Sequence, residues 1–220
     1  MGDIMIGYSY LFLKGISITL SALLLAGSTS LLIGSLFGIL SCNYIANSKM
    51  KIFMKVFTFI AKGIPAYVQI LIAYFIIPSL VGINNISAFT AACSALAFCS
   101  TGYVTEIIRS GINSVPSGQW DACSTLGYPL RAKLQRIILP QTLKNIGPAL
   151  FGEFEQLLKS TSLLATVGVT ELTRTGMNII SRELNPIPVY LAIACGYLFF
   201  SALLTIASLY VERRSSYGQY

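Results

Sequence analysis

Histidine is missing altogether from this chain, and charge is scarce: Asp, Glu, Lys and Arg make up 10% of its 220 residues, while 55% are hydrophobic. A soluble domain carries about 25% charged residues, so this composition excludes an ordinary water-soluble surface. The lack of histidine removes the commonest general base and metal ligand. No Ser/His/Asp arrangement or metal-ligating cluster can be assembled, and neither a metal nor a cofactor is expected. A phosphate loop of the form Gly-x-x-x-x-Gly-Lys-Ser/Thr is absent too. Lys159-Ser160-Thr161 has the ending of one, but no glycine directly precedes the lysine and its setting is apolar. Without a glycine-rich turn at a helix N-terminus nothing cradles a nucleotide. The chain is therefore expected not to be an enzyme. A cleavable leader is not expected either, because the first apolar run is too long and no basic stretch precedes it. The five cysteines show no Cys-x-x-Cys spacing and read as small apolar packing residues.

What the chain does have is long stretches without charge. Ile16–Ser41 lies between Lys14 and Lys49, Gly63–Thr105 between Lys62 and Glu106, and Leu184–Val211 between Glu183 and Glu212. A spanning helix needs roughly 20 apolar residues, so the first and last runs predict one span each. The middle run is long enough for two, divided by Pro78 and the turn signal Gly82-Ile83-Asn84-Asn85. A further span is predicted over 145–170, although it carries Glu153, Glu155 and Lys159; an interfacial or re-entrant course is its alternative. The expected fold is one all-α integral membrane domain over residues 1–220, with five or six transmembrane helices.

The net charge of +7 is placed asymmetrically. Alternating the loops puts Lys49, Lys51, Lys55, Lys62, Arg109, Arg131, Lys133, Arg136, Lys144, Arg213 and Arg214 on one side, and only Lys14, Arg174 and Arg182 on the other. Basic loops stay in the cytoplasm. This predicts an external N-terminus, a cytoplasmic C-terminus and a cytoplasmic loop over 106–144. The basic balance thus reads as membrane topology, with lipid as the surrounding partner, and not as a nucleic-acid footprint. Ala26, Ser30, Gly34 and Gly38 recur every four residues in the first span, and Ala91, Ala95 and Cys99 repeat the pattern in the third. Small residues at this spacing let helices approach closely where lipid offers no hydrophobic drive to association.

Residues 117–143 interrupt the apolar sequence. Ser117 or Ser114 is placed to cap a short helix of about 118–126 that ends at Gly127, a natural position for a left-handed residue. Pro129 suits the first position of a second helix with Leu130, Leu134, Ile137 and Ile138 on one face, and Leu139-Pro140 is expected to end it. A short helix at the tip of a cytoplasmic loop, acidic at Asp121 and small at Ala122 and Cys123, is shaped to fit a groove in another protein. An ordinary amphipathic surface loop is the alternative.

The order Asp121-Ala122-Cys123, Gly127, nine residues, Ile137-x-Leu139-Pro140 resembles the EAA loop of the permease subunits of ABC importers. Lys62-Gly63-Ile64-Pro65-x-x-x-Gln69, Tyr103-x-x-Glu106-Ile-x-Arg109-x-Gly111-Ile, Val115-Pro116-x-Gly118-Gln119 and Leu157-Leu158-Lys159-Ser160-Thr161-Ser162-Leu163 resemble the polar amino-acid branch of that family. Together these cover residues 62–172, about half the chain. The resemblance implies the type I importer fold in a bacterial cytoplasmic membrane. It also implies a second permease subunit (identical or related), two cytoplasmic ABC ATPase subunits that hydrolyse ATP, an external solute-binding protein and an amino-acid substrate. Coupling to the ATPase would fall to Gly118, Asp121, Ala122, Cys123, Gly127, Leu139 and Pro140. The chain departs from the pattern in having Asp121 for Glu, Cys123 for the second Ala, Lys62 and Ile64 for the usual Arg and Thr, and Glu155 where a hydrophobic residue is usual.

A charged side chain within a span costs at least about 2.5 kcal/mol and is a functional candidate by default. Glu155 and Lys159 stand four apart in the favourable order and are expected to pair. Glu153 points about 200° away from Glu155, at 100° per residue. Its one neighbour at helical spacing is the neutral Gln156. Glu153, with Gln156 and Lys62, is the predicted substrate site, the carboxylate receiving the ammonium or cationic side chain of an amino acid. The alternative is that Glu153 takes its proton or pairs with Lys62. Glu106 and Arg109 are expected to form a helix-surface ion pair. Ser160, Thr161 and Ser162 either touch substrate or satisfy backbone carbonyls. Another small polar solute, or a stand-alone channel or secondary carrier, is the remaining functional alternative.

Overall fold

The computed structural model describes residues 7–82 and 85–216, all in helices and their connections. Among the described residues three helices are long and apolar enough to cross a membrane: α1 (Ser9–Leu40), α4 (Ala88–Asn113) and the last, α8 (Pro186–Ser216), over its stretch Pro186–Arg213. A further pair, α2 (Ser48–Gly63) and α3 (Ala66–Val81), is apolar enough only when taken together and meets at a bend of 95°, the geometry of a broken span or a re-entrant loop. Helix α6 (residues 130–160) carries Lys144, Glu153, Glu155 and Lys159 and is not among these apolar helices, yet it packs against both α4 and α8. Short helices α5 (Ser117–Thr125) and α7 (Leu172–Glu183) lie between them, and a 3-10 stretch, Thr161–Val167, follows α6.

The packing follows from where small residues fall. Along α1 the buried positions include Thr19, Ala22, Ala26, Ser30, Gly34 and Gly38, one stripe of minimal side chains. Opposite them on α4 stand Ser100, Val104 and Ile108, and the Asn43 amide beyond α1 is bonded to Asn113 Oδ1 in α4's last turn. The offset is 70 residues at both ends of this seam, so α1 and α4 run parallel in one unbroken register. Helix α6 runs the other way: Ile146 lies on Gly111, and Glu153 lies on Ser100. Helix α8 is antiparallel to α6 in turn, with Val211 near Gly147 and Ser201 bonded to Glu155. The start of α1 and the end of α8 therefore lie at opposite ends of the bundle. Small interface residues are what allow these close axes where lipid is as apolar as the side chains.

The sequence reading placed residues 42–62 in a cytoplasmic loop, and the structure corrects this. Residues 48–63 form α2, whose buried Met54, Thr58 and Ala61 face α4, so Lys62 lies beside the middle of α4 and not at its end. The charge-free run failed to mark this helix because lysines recur along it while its apolar face stays intact. Pro78 does not divide the middle run either, since α3 continues to Val81 and stops at Gly82, φ 70°. Of the predicted turn, Ile83 and Asn84 lie outside the described residues.

Leu139-Pro140 does not end a helix. Instead α6 passes through it after one wide π turn, Leu134–Ile138, and a matching π turn, Ile72–Ile76, precedes Pro78 in α3. A proline ring would collide with the carbonyl four residues back. One extra residue in the preceding turn moves that carbonyl aside, so the helix survives.

Candidate functional site

The break between α2 and α3 is a consequence of Ile64-Pro65. A residue before proline is driven to extended backbone, and Ile64 has φ −92° and ψ 128°. Carbonyls orphaned at the break are met by the buried Gln69, whose Nε2 donates to Ala61 O at 2.8 Å and to Ile64 O at 2.7 Å. Gly102 lets α2 come very close, since a Cβ there would meet Ala61 Cβ at 2.7 Å. The bend so fixed delivers Lys62 over the Tyr103 ring, 5.7 Å from its centroid.

Lys62 then shares a cavity of about 310 Å³ with Glu153, Gln156, Ser100, Cys99 and Tyr103. All three residues predicted for substrate are brought together, from helices 91 and 94 positions apart in sequence (153 − 62 and 156 − 62). Ser100 donates to Glu153 Oε1 at 2.7 Å, with Ser30 Oγ 3.1 Å behind it. Among the described residues Glu153 and Lys62 form no ion pair, so a carboxyl group and an amine line one cavity without meeting each other. The volume suits one amino-acid-sized molecule, at the small end of ligand pockets.

The two ion pairs expected from helical spacing are present. Glu106 accepts from Arg109 one turn along α4. Lys159 Nζ is 2.6 Å from Glu155 Oε1, and the same carboxylate accepts from Ser201 and Thr205 of α8. Ser160, Thr161 and Ser162 each donate to a carbonyl three or four residues back where the α-helix tightens to 3-10, and Ser160 also lines the cavity with Lys62 and Glu153. Glu171, which the sequence reading did not single out, is fully buried. It caps α7 through the Thr173 and Arg174 amides at 2.7 and 2.8 Å and accepts from Tyr197 of α8 at 3.0 Å. The available signal was a carboxylate just past Gly168, two and three residues before the amides of a new helix.

At the opposite end of α6, α5 spans Ser117–Thr125. Neither Ser114 nor Ser117 caps it: Pro116 is the N-cap residue and Ser114 donates back to Gly111 O. Pro129 likewise stands just before the next helix instead of in its first position. The C-terminus is as expected. Gly127 has φ 73°, its amide bonds Ser124 O, and the Tyr128 amide bonds Cys123 O, a Schellman closure. Gly118, Asp121 and Ala122 are exposed on one face. Cys123 departs from the expectation, being buried with Trp120 on the face turned inward, because residues three apart share a helix face. Leu139 and Pro140 sit within α6.

Residues 30–217 match the family model described as binding-protein-dependent transport system inner membrane component. The chain is 32% identical over 205 residues to a putative glutamine transport system permease protein of Rickettsia conorii, covering 93% of each chain. It is 32% identical over 203 residues to an arginine transport system permease protein of Bacillus subtilis, covering 92% of this chain and 91% of that one. Over 206 residues it is 31% identical to a glutamine transport system permease protein of Escherichia coli, covering 93% and 92%. Among solved structures, an amino acid ABC transporter crystallised with histidines superposes with a TM-score of 0.85 at 33% identity, covering 96% of both chains. An inward-facing methionine ABC transporter, 18% identical, matches with a TM-score of 0.83 over 95% of this chain and 98% of that one, a likeness of fold.

Proposed function

This chain belongs to the family of binding-protein-dependent transport system inner membrane components, and from that premise we propose how it handles its solute. It is the membrane-spanning permease subunit of an amino-acid ABC transporter, working with an ATPase and a solute-binding protein. In our reading the cargo is a polar amino acid, arginine, histidine or glutamine among the candidates. Glu153 receives its ammonium or cationic side chain, Lys62 its carboxylate, and Gln156 a neutral polar group. The supporting observation is the joint lining of one cavity by these three residues, with the two charges unpaired to each other. A buried charge is tolerated where an opposite charge completes it, and a zwitterion completes both at once.

The rest of the assembly follows the same proposal. The chain hydrolyses no ATP itself. It pairs with a second permease subunit, and two ATPase subunits dock at the basic end of the bundle, which is cytoplasmic, the N-terminus being external. The exposed Gly118, Asp121 and Ala122 contact the ATPase; Cys123 and Gly127 hold α5 in shape, and Leu139 and Pro140 set the course of α6 behind it. The test is uptake of L-arginine, L-histidine and L-glutamine by vesicles holding the whole complex. Glu153→Gln should depress uptake of at least the cationic solutes, with binding-protein-stimulated ATP hydrolysis lost for the same ones. Unchanged uptake of all three overturns the assignment.

A further inference from the structure

The inward face of α5 carries a contact that the assignment of its outward face does not use. Trp120, the only tryptophan of the chain, stacks on Tyr44 with ring centroids 4.2 Å apart and planes 11° from parallel. Tyr44 belongs to the turn after α1, and that turn is clamped just before it. Cys42 is fully buried, and the Asn43 amide is bonded to Asn113 Oδ1 at 3.0 Å. Trp120 also belongs to one buried cluster with Cys42, Ile112 and Ile138, residues of the turn after α1, of α4 and of α6.

The other links from α5 to the bundle are weaker. Toward α6 there is one exposed side-chain hydrogen bond, Lys133 Nζ to Ser124 Oγ at 2.7 Å. Exposed hydrogen bonds exchange readily with water and hold little. Along the backbone, α5 is joined through Val115-Pro116 on one side and the left-handed Gly127 on the other, both of them turns. A stacked pair in a packed cluster is stiffer than either.

We infer that Trp120, seated on Tyr44, is the positioning residue through which a displacement of α5 reaches the α1–α4 pair. This rests on the reading of α5 as the ATPase-contacting helix. A push on Gly118, Asp121 and Ala122 is carried across the helix to Trp120, from there to Tyr44, and into the seam where Gly34 and Gly38 lie against Val104 and Ile108. Because α1 and α4 share one register, the pair shifts as a unit and does not shear. The Trp120 indole nitrogen has no hydrogen-bond partner among the described residues, so the ring acts by its faces, and phenylalanine should replace it.

The experiment uses the complete complex, with its own ATPase and binding protein, in vesicles supplied with L-glutamine and L-arginine. Tyr44 is 44% exposed, so Tyr44→Ala is expected to fold and to retain the ATPase on purification. Solute moved per ATP hydrolysed should fall about tenfold, the upper end of what one aromatic pair contributes. Tyr44→Phe and Trp120→Phe should restore the ratio to within about twofold, since both keep a stack. Wild-type coupling in Tyr44→Ala would overturn the inference. Loss of the ATPase from the Tyr44→Ala complex would overturn it as well, since the pair would then serve docking and not transmission. A wild-type complex that shows no binding-protein-stimulated hydrolysis would instead refute the functional reading on which this rests.

Discussion

Gly38→Ala tests the α1–α4 seam directly. A Cβ at that position would stand 2.6 Å from Ile108 Cβ, 2.7 Å from its Cγ2 and 2.9 Å from the Thr105 carbonyl oxygen. No rotamer relieves a contact between two Cβ atoms or with a backbone carbonyl, so the helices themselves must part. Carbon atoms settle at about 3.5–4.0 Å, which requires a separation of about 1 Å along this stretch. Overpacking of this kind costs about 1–3 kcal/mol. Alanine returns up to about 1 kcal/mol through its better helix propensity, leaving a net loss of about 1–2 kcal/mol. For a chain of this size each kcal/mol moves Tm by about 2–4 °C, so the expected fall is about 2–8 °C. The five cysteines are free, and Cys42, Cys93 and Cys123 are buried, so a thiol-reactive fluorogenic dye added in detergent reports unfolding. Leu32→Ala, on the same helix at a side chain 74% exposed, is the control and should leave the melt unchanged. A Gly38→Ala protein melting at or above the wild type would refute the close-packed, parallel register from which the rest is argued.

Other outcomes follow from particular contacts. Gly127→Ala, at φ 73°, should cost about 1–2 kcal/mol and lower solute moved per ATP hydrolysed in vesicles, because the Schellman closure sets where α5 ends; Gly127→Asn should cost less. Glu171→Gln puts an amide donor where three donors already converge, so a loss of about 1–3 kcal/mol is expected in the same dye melt. Lys159→Met alone should destabilise more than Lys159→Met combined with Glu155→Gln, because the single change leaves an uncompensated carboxylate between α6 and α8; equal melts would show that the pair does not form.

The arrangement of charge and apolar runs was enough to find most of the bundle. Ile16–Ser41 and Leu184–Val211 lie within α1 and α8 except for Ser41, the residue closing α1, and for the connection before Pro186. These are local matters: a span without charge has few alternatives in lipid, and a glycine after a short polar helix is suited to the left-handed backbone that closes it. The spacing of Glu155 and Lys159, and of Glu106 and Arg109, likewise determined their pairing, since helical geometry alone brings them together.

Tertiary structure decided what depends on direction and distance. Lys62 looked like a loop residue because lysines surround it, and only the bend at Ile64-Pro65 against Gly102 carries it into the cavity with Glu153. Leu139-Pro140 looked like a stop because proline normally is one, and only the wide turn before it lets α6 run on to Ser160. Cys123 read as part of the small face offered to a partner, and only the orientation of α5 turned it inward together with Trp120, which stacks on Tyr44. Sequence alone determined which long runs are apolar enough to cross a membrane, because transfer into lipid is a sum over neighbouring residues. Which side chains then meet was left to the packing of the seams, because close approach depends on atoms supplied by two helices at once.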